Sequence, residues 1–412
     1  MRTEIRPYPF SLRRFGLRSI ITCSLLVCAA VAVAGPREQA KRMHDRIAGV
    51  PPAETVLTQM AADISAGNPI AAAYKAMDNS AFYDVTLKNF VAPWTNEDQS
   101  VFVPLNDYTA TVIGMIRDDV DFREVLYGDI LYIGASSLGL PAYRLNDNAH
   151  YQAMDDQGID LKTNLIRTTQ SAVTGIPAMA AAGVMTTRAA AEAFFIAGTN
   201  RAMFRFTLMN HLCTDLEPIK DISRPPDRIR QDVSRSPGGD SRIFLNKCIG
   251  CHAGMDPMAQ AFAYYDYDYD SVNDPDGING SLVYNGVGAV DPDTGSRVQG
   301  KYLINSDNFK PGYVTTDDHW DNYWRKGPNA LLGWDTTLSG SGTGAKSLGK
   351  ELAYSDAFAR CQVKKVFKTI CLRDPTDSND FSEVDSMVSS FKSSNYKMKQ
   401  VFAEAGAYCM GD

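Results

Sequence analysis

The chain is organised around the stretch Lys247-Cys248-Ile249-Gly250-Cys251-His252-Ala253-Gly254-Met255-Asp256-Pro257-Met258. Two cysteines separated by two residues and followed directly by a histidine are typical of covalent attachment of c-type haem. On a helix, Cys248 and Cys251 lie one turn apart, so both sulfurs can form thioethers to one porphyrin edge. His252 can then turn its imidazole towards the iron. The motif therefore predicts one covalently bound haem c, held by Cys248, Cys251 and His252, with His252 as the proximal iron ligand.

Two other kinds of site also use a Cys-x-x-Cys pair, and the surrounding sequence argues against both. A zinc site needs a second pair of ligands at close spacing, but the nearest other cysteines, Cys213 and Cys361, have no partner two residues away. A thioredoxin-like dithiol would need a βαβ setting, which is not apparent in the sequence. Haem attachment is therefore the favoured interpretation.

The N-terminus carries the pattern of a secretory signal peptide over residues 1–34. Five arginines precede an apolar run of about fourteen residues, which ends at Ala32-Val33-Ala34. This pattern predicts cleavage after Ala34, and the run is shorter than the roughly 20 residues of a membrane-spanning helix. Cys28 could mark a lipoprotein, but Val27 is larger than the small residue expected before it. We predict export to the periplasm or the cell surface, with no transmembrane segment in the mature chain.

The predicted mature chain is acidic. Removing residues 1–34 leaves 36 basic and 47 acidic residues, and changes the net charge from −7 to −11. An acidic surface argues against nucleic acid or an anionic membrane as a partner. Together with the haem motif, it leaves redox proteins as the expected partners.

Four cysteines besides the haem pair remain after residue 34, and they predict two disulfides in an oxidising compartment. Three pairings are open. If the apolar stretch before Cys371 is one helix, Cys361 and Cys371 lie about 15 Å apart along it, which is too far for a bond. The favoured pairing joins Cys371 to Cys409 and Cys213 to Cys361.

Helical periodicity dominates the rest of the chain. Apolar residues recur at helical spacing in four stretches before residue 128, again in residues 180–213, and in three stretches after Ser355. A polar, proline-rich segment over residues 218–239 predicts a domain boundary. The predicted fold is mainly α, with a helical domain over residues 35–235 and a cytochrome c-like haem domain with C-terminal helices over residues 236–412. Residues 128–162 lose the helical period and predict a surface segment.

The predicted haem domain contains a glycine-rich insert over residues 277–349, with short strands expected near residues 282–284 and 301–304. The acidic run of residues 264–279 before and within it could bind Ca²⁺, but the EF-hand spacing fails, so a solvated acidic loop is favoured. Residues 340–347 differ from a phosphate-binding P-loop at Ala345, where that motif requires glycine. We predict a flexible loop there.

Three segments resemble the planctomycete-type cytochrome c proteins, a family without an assigned reaction. The first joins the haem motif to Asp256-Pro257 and Tyr265-Asp266. Residues 352–361 are similar to that family's closing helical domain, and residues 180–213 to the helical domain before its haem. The segments follow in the same order and cover most of residues 100–412. The resemblance implies a secreted haem protein, from which this chain departs by the long insert over residues 291–346 and by Met255 and Met258 beside the motif.

The sequence leaves the sixth iron ligand open. Met255 and Met258 follow His252 too closely to reach the opposite face of the iron. Core packing is the alternative role for the methionines and for a histidine on an apolar helix face. Methionine would raise the reduction potential and a second histidine would lower it. The distal candidates are His319, Met398, His211 and Met387, with His44 and His150 ranked below them.

These features lead to three hypotheses for the function. The first is an electron carrier, which passes single electrons between periplasmic or cell-surface partners through a haem with a closed sixth position. The second is a haem enzyme, peroxidase-like or oxygenase-like, with an open distal site and an acid or base such as His319 beside it. The third is a haem-bearing structural subunit of a larger redox complex. The electron carrier is favoured.

Overall fold

A computed structural model describes residues 34–196 and 198–411. Residues 1–33 of the predicted signal peptide lie outside this range. The described chain is mainly helical, as predicted. The α-helices are α1 Pro36–Ala48, α2 Glu54–Ser65, α3 Pro69–Met77, α4 Lys88–Val91, α5 Asp107–Arg117, α6 Ala149–Asp156, α7 Leu161–Asn164, α8 Gln170–Thr174, α9 Arg188–Phe194, α10 Arg201–Leu212, α11 Ser241–Ile243, α12 Ile249–Ala259, α13 Gly344–Ala353, α14 Asp356–Cys371, α15 Ser378–Ser393 and α16 Met398–Tyr408.

Short strands and tight helical turns fill the connections. Three two-stranded antiparallel sheets pair β1 with β2, β3 with β4 and β5 with β6. The strands are β1 Leu131–Gly134, β2 Leu165–Thr168, β3 Tyr265–Asp268, β4 Ser281–Tyr284, β5 His319–Asp321 and β6 Ser341–Thr343. The 3-10 turns are Ala92–Thr95, Phe122–Leu126, Ser136–Leu138, Gly183–Thr186, Pro237–Gly239, Gln260–Phe262, Gly300–Leu303, Tyr323–Arg325 and Pro328–Leu332, and the π turns are Phe82–Leu87 and Phe244–Cys248.

The helices from the two ends of the described chain share one core. Helices α1, α2 and α3 pack on one another, and α16 packs on α3, α14 and α15. The rings of Phe82 and Phe402 meet edge to face at 5.1 Å between centroids, and both side chains are fully buried. Elements on both sides of the predicted boundary at residues 235 and 236 therefore contribute to the same apolar interior.

Helix α10 connects this core to the haem motif. It packs against α14 on one side and against α12, which carries Cys251 and His252, on another. At its C-terminal end Cys213 bonds to Cys361 of α14, with the Cα atoms 5.2 Å apart. Cys371 bonds to Cys409, with the Cα atoms 5.3 Å apart. Both favoured disulfide pairings are thus confirmed.

Several predicted segments have a different structure. Residues 128–162 include β1, in which Leu131 and Tyr132 are fully buried. The ring of Tyr132 packs directly on Gly114, where an added Cβ would lie 2.1 Å from the ring. One missing side chain on α5 thus creates the space that buries this strand, and a periodicity argument does not detect it.

The glycine-rich insert was predicted only in part. Strand β4 forms where expected, but residues 300–303 form a 3-10 turn rather than a strand. The predicted flexible loop of residues 340–347 is wrong, because β6 leads directly into α13 there. The Lys346 side chain in this stretch donates to the carbonyl of Ala178. Among the described residues, no helix is long and apolar enough to cross a membrane.

Candidate haem attachment site

The haem motif lies on α12 and the π turn before it. Cys248 ends that turn, and Cys251 and His252 follow in the first turn of α12. Both thiols are partly exposed and unpaired within the described chain, whose other cysteines form the two disulfides. Burial raises the pKa of the Cys251 thiol above its ordinary value, which keeps it protonated at neutral pH.

Two glycines one helical turn apart let neighbouring segments approach α12 closely. The carbonyl of Gly250 accepts a 2.9 Å hydrogen bond from the backbone N–H of Asp221. At Gly254 an added Cβ would lie 1.9 Å from Nε1 of Trp324, whose side chain is fully buried. Any larger residue at position 254 would displace this indole. These contacts fix the position of the helix that carries the cysteines.

His252 is oriented by a carboxylate one turn further along α12. Its Nδ1 lies 2.9 Å from Oδ1 of Asp256. The His252 side chain is 21% exposed, whereas that of Asp256 is fully buried. Nε2 of His252 makes no hydrogen bond to the described residues, so the nitrogen that would bind iron is unengaged.

The Asp256 carboxylate is ionised and rigidly held. Burial alone would raise the pKa of Asp256, but the Arg201 guanidinium and the His252 ring hold it well below its ordinary value. Arg201 donates from Nε to Oδ1 and from Nη2 to Oδ2, both at 2.8 Å. The backbone N–H of Arg230 approaches Oδ2 at 3.4 Å. Every oxygen of this carboxylate is therefore occupied.

A second carboxylate completes the ion cluster. Arg201 also donates to Asp232, from Nη1 at 2.7 Å and from Nη2 at 2.9 Å. Arg230, itself buried, lies beside the pair, with its guanidinium 3.9 Å from the centroid of the Tyr302 ring. A planar guanidinium suits such a double bidentate role, which a lysine could not fill.

Apolar side chains lie around Cys248. Cys248 and Ile249 pack against a small cluster of buried residues that is separate from the main core, namely Ile229, Val233, Phe244 and Ala253. Large apolar side chains near the motif in the chain or in space remain exposed, namely Ile222 (70%), Leu245 (54%) and Ile243 (38%).

The donors on α12 and the preceding π turn fit a c-type haem. Two unpaired thiols supply the groups that form thioethers, and His252 offers a free Nε2 with its other nitrogen bonded to a carboxylate, as metal-binding histidines generally have. All three side chains are partly exposed, as covalent attachment of a porphyrin would require. When bound, haem would supply one-electron redox chemistry.

The distal candidates lie in different parts of the fold. His319 is on β5, which packs against α12; its side chain is 43% exposed, and its Nε2 is 3.5 Å from Oδ2 of Asp321. His211 is on α10, fully buried, with Nε2 2.8 Å from the hydroxyl of Tyr108. Burial lowers the pKa of His211 well below its ordinary value, so this ring is neutral.

The remaining candidates either pack in the core or bond to backbone groups. Met387 and Met398 are buried on α15 and α16, which pack against α14 and each other. Nδ1 of His44 lies 2.9 Å from the carbonyl of Val50. His150 has both ring nitrogens engaged by backbone groups.

The acidic run after the motif begins as β3. Further on, Asp270 accepts backbone N–H bonds from Val272 and Asn273. Asp274 accepts them from Ile278 and Asn279. These carboxylates therefore stabilise turns, and the described residues contain no group of three or more His, Cys, Asp or Glu side chains placed to hold a metal ion.

Comparison with known proteins gave no relatives. No protein-family model, curated protein or solved structure matches this chain. The functional argument therefore depends on the motif and on the contacts around it.

Sequence reasoning missed the residues that support His252. The spacing of His252 and Asp256, four apart on a helix, was a usable signal, because such residues share one face. Arg201 and Asp232 carried no comparable signal. They lie 55 and 24 positions before Asp256, and only the packing of α10 on α12 brings Arg201 to it.

Proposed function

We propose that the protein is an exported monohaem c-type cytochrome that passes single electrons between partner proteins of the periplasm or cell surface. The observation that carries this proposal is the set of donors within one helical turn at the start of α12: two unpaired thiols and a histidine whose Nε2 has no partner among the described residues. The two disulfides add support for export, because such bonds persist in oxidising compartments and are rare in the cytosol. The acidic composition favours proteins over nucleic acid as partners.

In this proposal each residue of the motif has a separate role. Cys248 and Cys251 hold the porphyrin through two thioethers, and Nε2 of His252 is the proximal ligand. The glycine contacts of α12 keep these side chains in a constant relation, so that little reorganisation accompanies electron transfer. His319 is our first choice for a distal ligand, because β5 packs against α12 and this ring is accessible.

A haem enzyme with an open distal site is the second candidate, and one observation favours it. The proximal histidine bonds to a buried, ionised carboxylate rather than to a neutral backbone carbonyl. A carboxylate partner raises the basicity of a metal-bound histidine. Such a ligand stabilises oxidised iron, which suits reactions with peroxide or oxygen as well as electron transfer.

The test is the optical and EPR spectrum of the exported full chain, oxidised and reduced, with and without cyanide. We expect a covalent haem that remains with the denatured polypeptide. We also expect a low-spin iron whose spectrum does not change when cyanide is added. The variant Cys248→Ala/Cys251→Ala should lose the covalent attachment. A matched control is Cys371→Ala/Cys409→Ala, which removes two cysteines elsewhere and should retain the haem.

Two results would change this conclusion. A high-spin iron that binds cyanide readily would favour the haem enzyme over the electron carrier. A wild-type chain without covalent haem, exported in cells that mature other c-type cytochromes, would reject both.

A further inference from the structure

The contacts of His252 determine which of its nitrogens carries the proton. Both oxygens of Asp256 already accept hydrogen bonds from the Arg201 guanidinium, so in the 2.9 Å contact with Oδ1 the proton lies on Nδ1 of His252. In the neutral ring Nε2 then keeps its lone pair. The tautomer required for an iron ligand at Nε2 is thus set before any haem is present.

The carboxylate that sets this tautomer cannot turn away. Asp256 is fully buried on the same helix as His252, and Arg201 donates hydrogen bonds to both of its oxygens. Arg201 is in turn fixed by two bonds to Asp232, whose side chain is only 4% exposed. A chain of charge-assisted hydrogen bonds therefore runs from Asp232 through Arg201 and Asp256 to His252.

A purely structural ion cluster would not require the histidine. Arg201 donates to both oxygens of Asp256, and Asp232 accepts a further hydrogen bond from Nη1 of the guanidinium. Even so, Oδ1 of Asp256 also accepts from His252, which is partly exposed and has its other nitrogen unengaged. This chain of hydrogen bonds thus ends at Nε2 of His252, which has no partner among the described residues.

We infer that Asp256, held by Arg201 and Asp232, is a positioning residue that fixes the Nδ1–H tautomer of His252 and biases the bound iron towards its ferric state. This inference rests on the proposed function, since it concerns the same site. The physical reason is that a negative acceptor makes the imidazole a stronger electron donor through Nε2. The ion cluster therefore sets both the orientation and the donor strength of the proximal ligand.

The experiment compares Asp256→Asn with Asp232→Asn in the haem-loaded full chain. The two variants remove the same charge beside Arg201, but only the first changes the acceptor of His252. We expect Asp256→Asn to shift the ferric-to-ferrous equilibrium about tenfold towards ferrous, which is about 59 mV for one electron. The g-values of the low-spin ferric iron in the EPR spectrum should change in this variant only.

One comparison would overturn the inference. If both variants shift the potential equally and leave the EPR g-values unchanged, the cluster acts only as a distributed charge. If Asp256→Glu restores both readouts towards the wild-type values, the role of the carboxylate is supported independently.

A second measurement does not depend on the folding of Asp256→Asn. The chain has five histidines, so ¹⁵N-histidine NMR of the wild-type full chain, expressed without haem attachment and recorded at alkaline pH, can resolve each ring. We expect His252 to be protonated at Nδ1. A dominant Nε2–H tautomer would contradict the inference, and this result stands even if the chain proves to carry no haem.

Discussion

At the scale of single residues, the close contact between Gly254 of α12 and the Trp324 indole can be tested by substitution. Replacing it with alanine would place a Cβ 1.9 Å from Nε1 of Trp324, so the indole or the helix must move. We expect Gly254→Ala to lower the free energy of unfolding by about 2 kcal/mol, the usual cost of overpacking. Urea unfolding followed by tryptophan fluorescence measures this directly.

Gly286 provides the matched control for this substitution. An added Cβ at Gly286 meets no atom within 4 Å, and its φ lies outside the left-handed region that strains other residues. Gly286→Ala should leave the urea midpoint unchanged or raise it slightly. Equal losses in the two variants would mean that the contact with Trp324 does not anchor the helix.

The candidate haem-binding residues could be chosen from the sequence alone because their spacing is local. Cys248, Cys251 and His252 lie within one turn, so spacing determines which groups can act together. Trp324 could not be placed in this way, because a long and mostly irregular stretch of chain separates it from α12 in the sequence. Its buried Nε1 has no hydrogen-bond partner among the described residues, which no sequence pattern would suggest.

At the scale of secondary-structure elements, Asp380 connects the start of α15 to its neighbours. Arg373 donates to both of its oxygens, the backbone N–H of Thr376 donates at 2.9 Å, and the Tyr408 hydroxyl of α16 donates at 2.9 Å. The hydrogen bonds from Arg373 hold the pKa of Asp380 well below its ordinary value. This carboxylate therefore stabilises the junction only while it is ionised.

The pH dependence follows from the direction of this shift. A folded-state pKa below the unfolded value of about 3.9 means that the stabilisation is complete above about pH 4 and is lost as the pH falls further. We expect the urea midpoint to fall more between about pH 7 and pH 3 in the wild type than in Asp380→Asn. Asp374→Asn, which removes an exposed carboxylate from the same connection, should behave like the wild type. A wild-type decline no steeper than that of Asp380→Asn would contradict this assignment.

Single side chains cap several of the helices. Asn106 accepts from the N–H of Thr109 at the start of α5, and Ser355 accepts from Phe358 at the start of α14. Asp377 caps α15, where its side chain accepts from the backbone N–H groups of Asn379 and Asp380. Residues 180–213 also divide into α9 and α10, since Asn200 has a φ of 65° and interrupts the period.

At the scale of the whole molecule, the Cys213–Cys361 disulfide closes the longest covalent loop of the described chain. The two cysteines are 148 positions apart, against 38 for Cys371 and Cys409. Loop-closure entropy predicts a loss of about 5 kcal/mol for Cys213→Ala/Cys361→Ala and about 4 kcal/mol for the other pair. Urea unfolding of both double variants under non-reducing conditions measures the order. A larger loss for the shorter loop would show that local packing, rather than chain entropy, dominates.

The overall architecture could be predicted only in outline. Helical periodicity and cysteine spacing identified a mainly α fold and the correct disulfides, because both depend on distances along a helix. The sharing of one core by α1–α3 and α14–α16 depends instead on contacts between the two ends of the chain. No local pattern encodes such contacts, which is why the sequence alone could not show them.

The order of the cysteines along the chain has a consequence for maturation. Cys248 and Cys251 lie between Cys213 and its partner Cys361. In a chain that is exported N-terminus first, Cys213 would therefore meet two incorrect partners before the correct one. Six thiols can pair in fifteen ways, but four can pair in only three. Early attachment of haem would consume the thiols of Cys248 and Cys251. Cofactor insertion would then also reduce the number of incorrect disulfides that can form during oxidative folding.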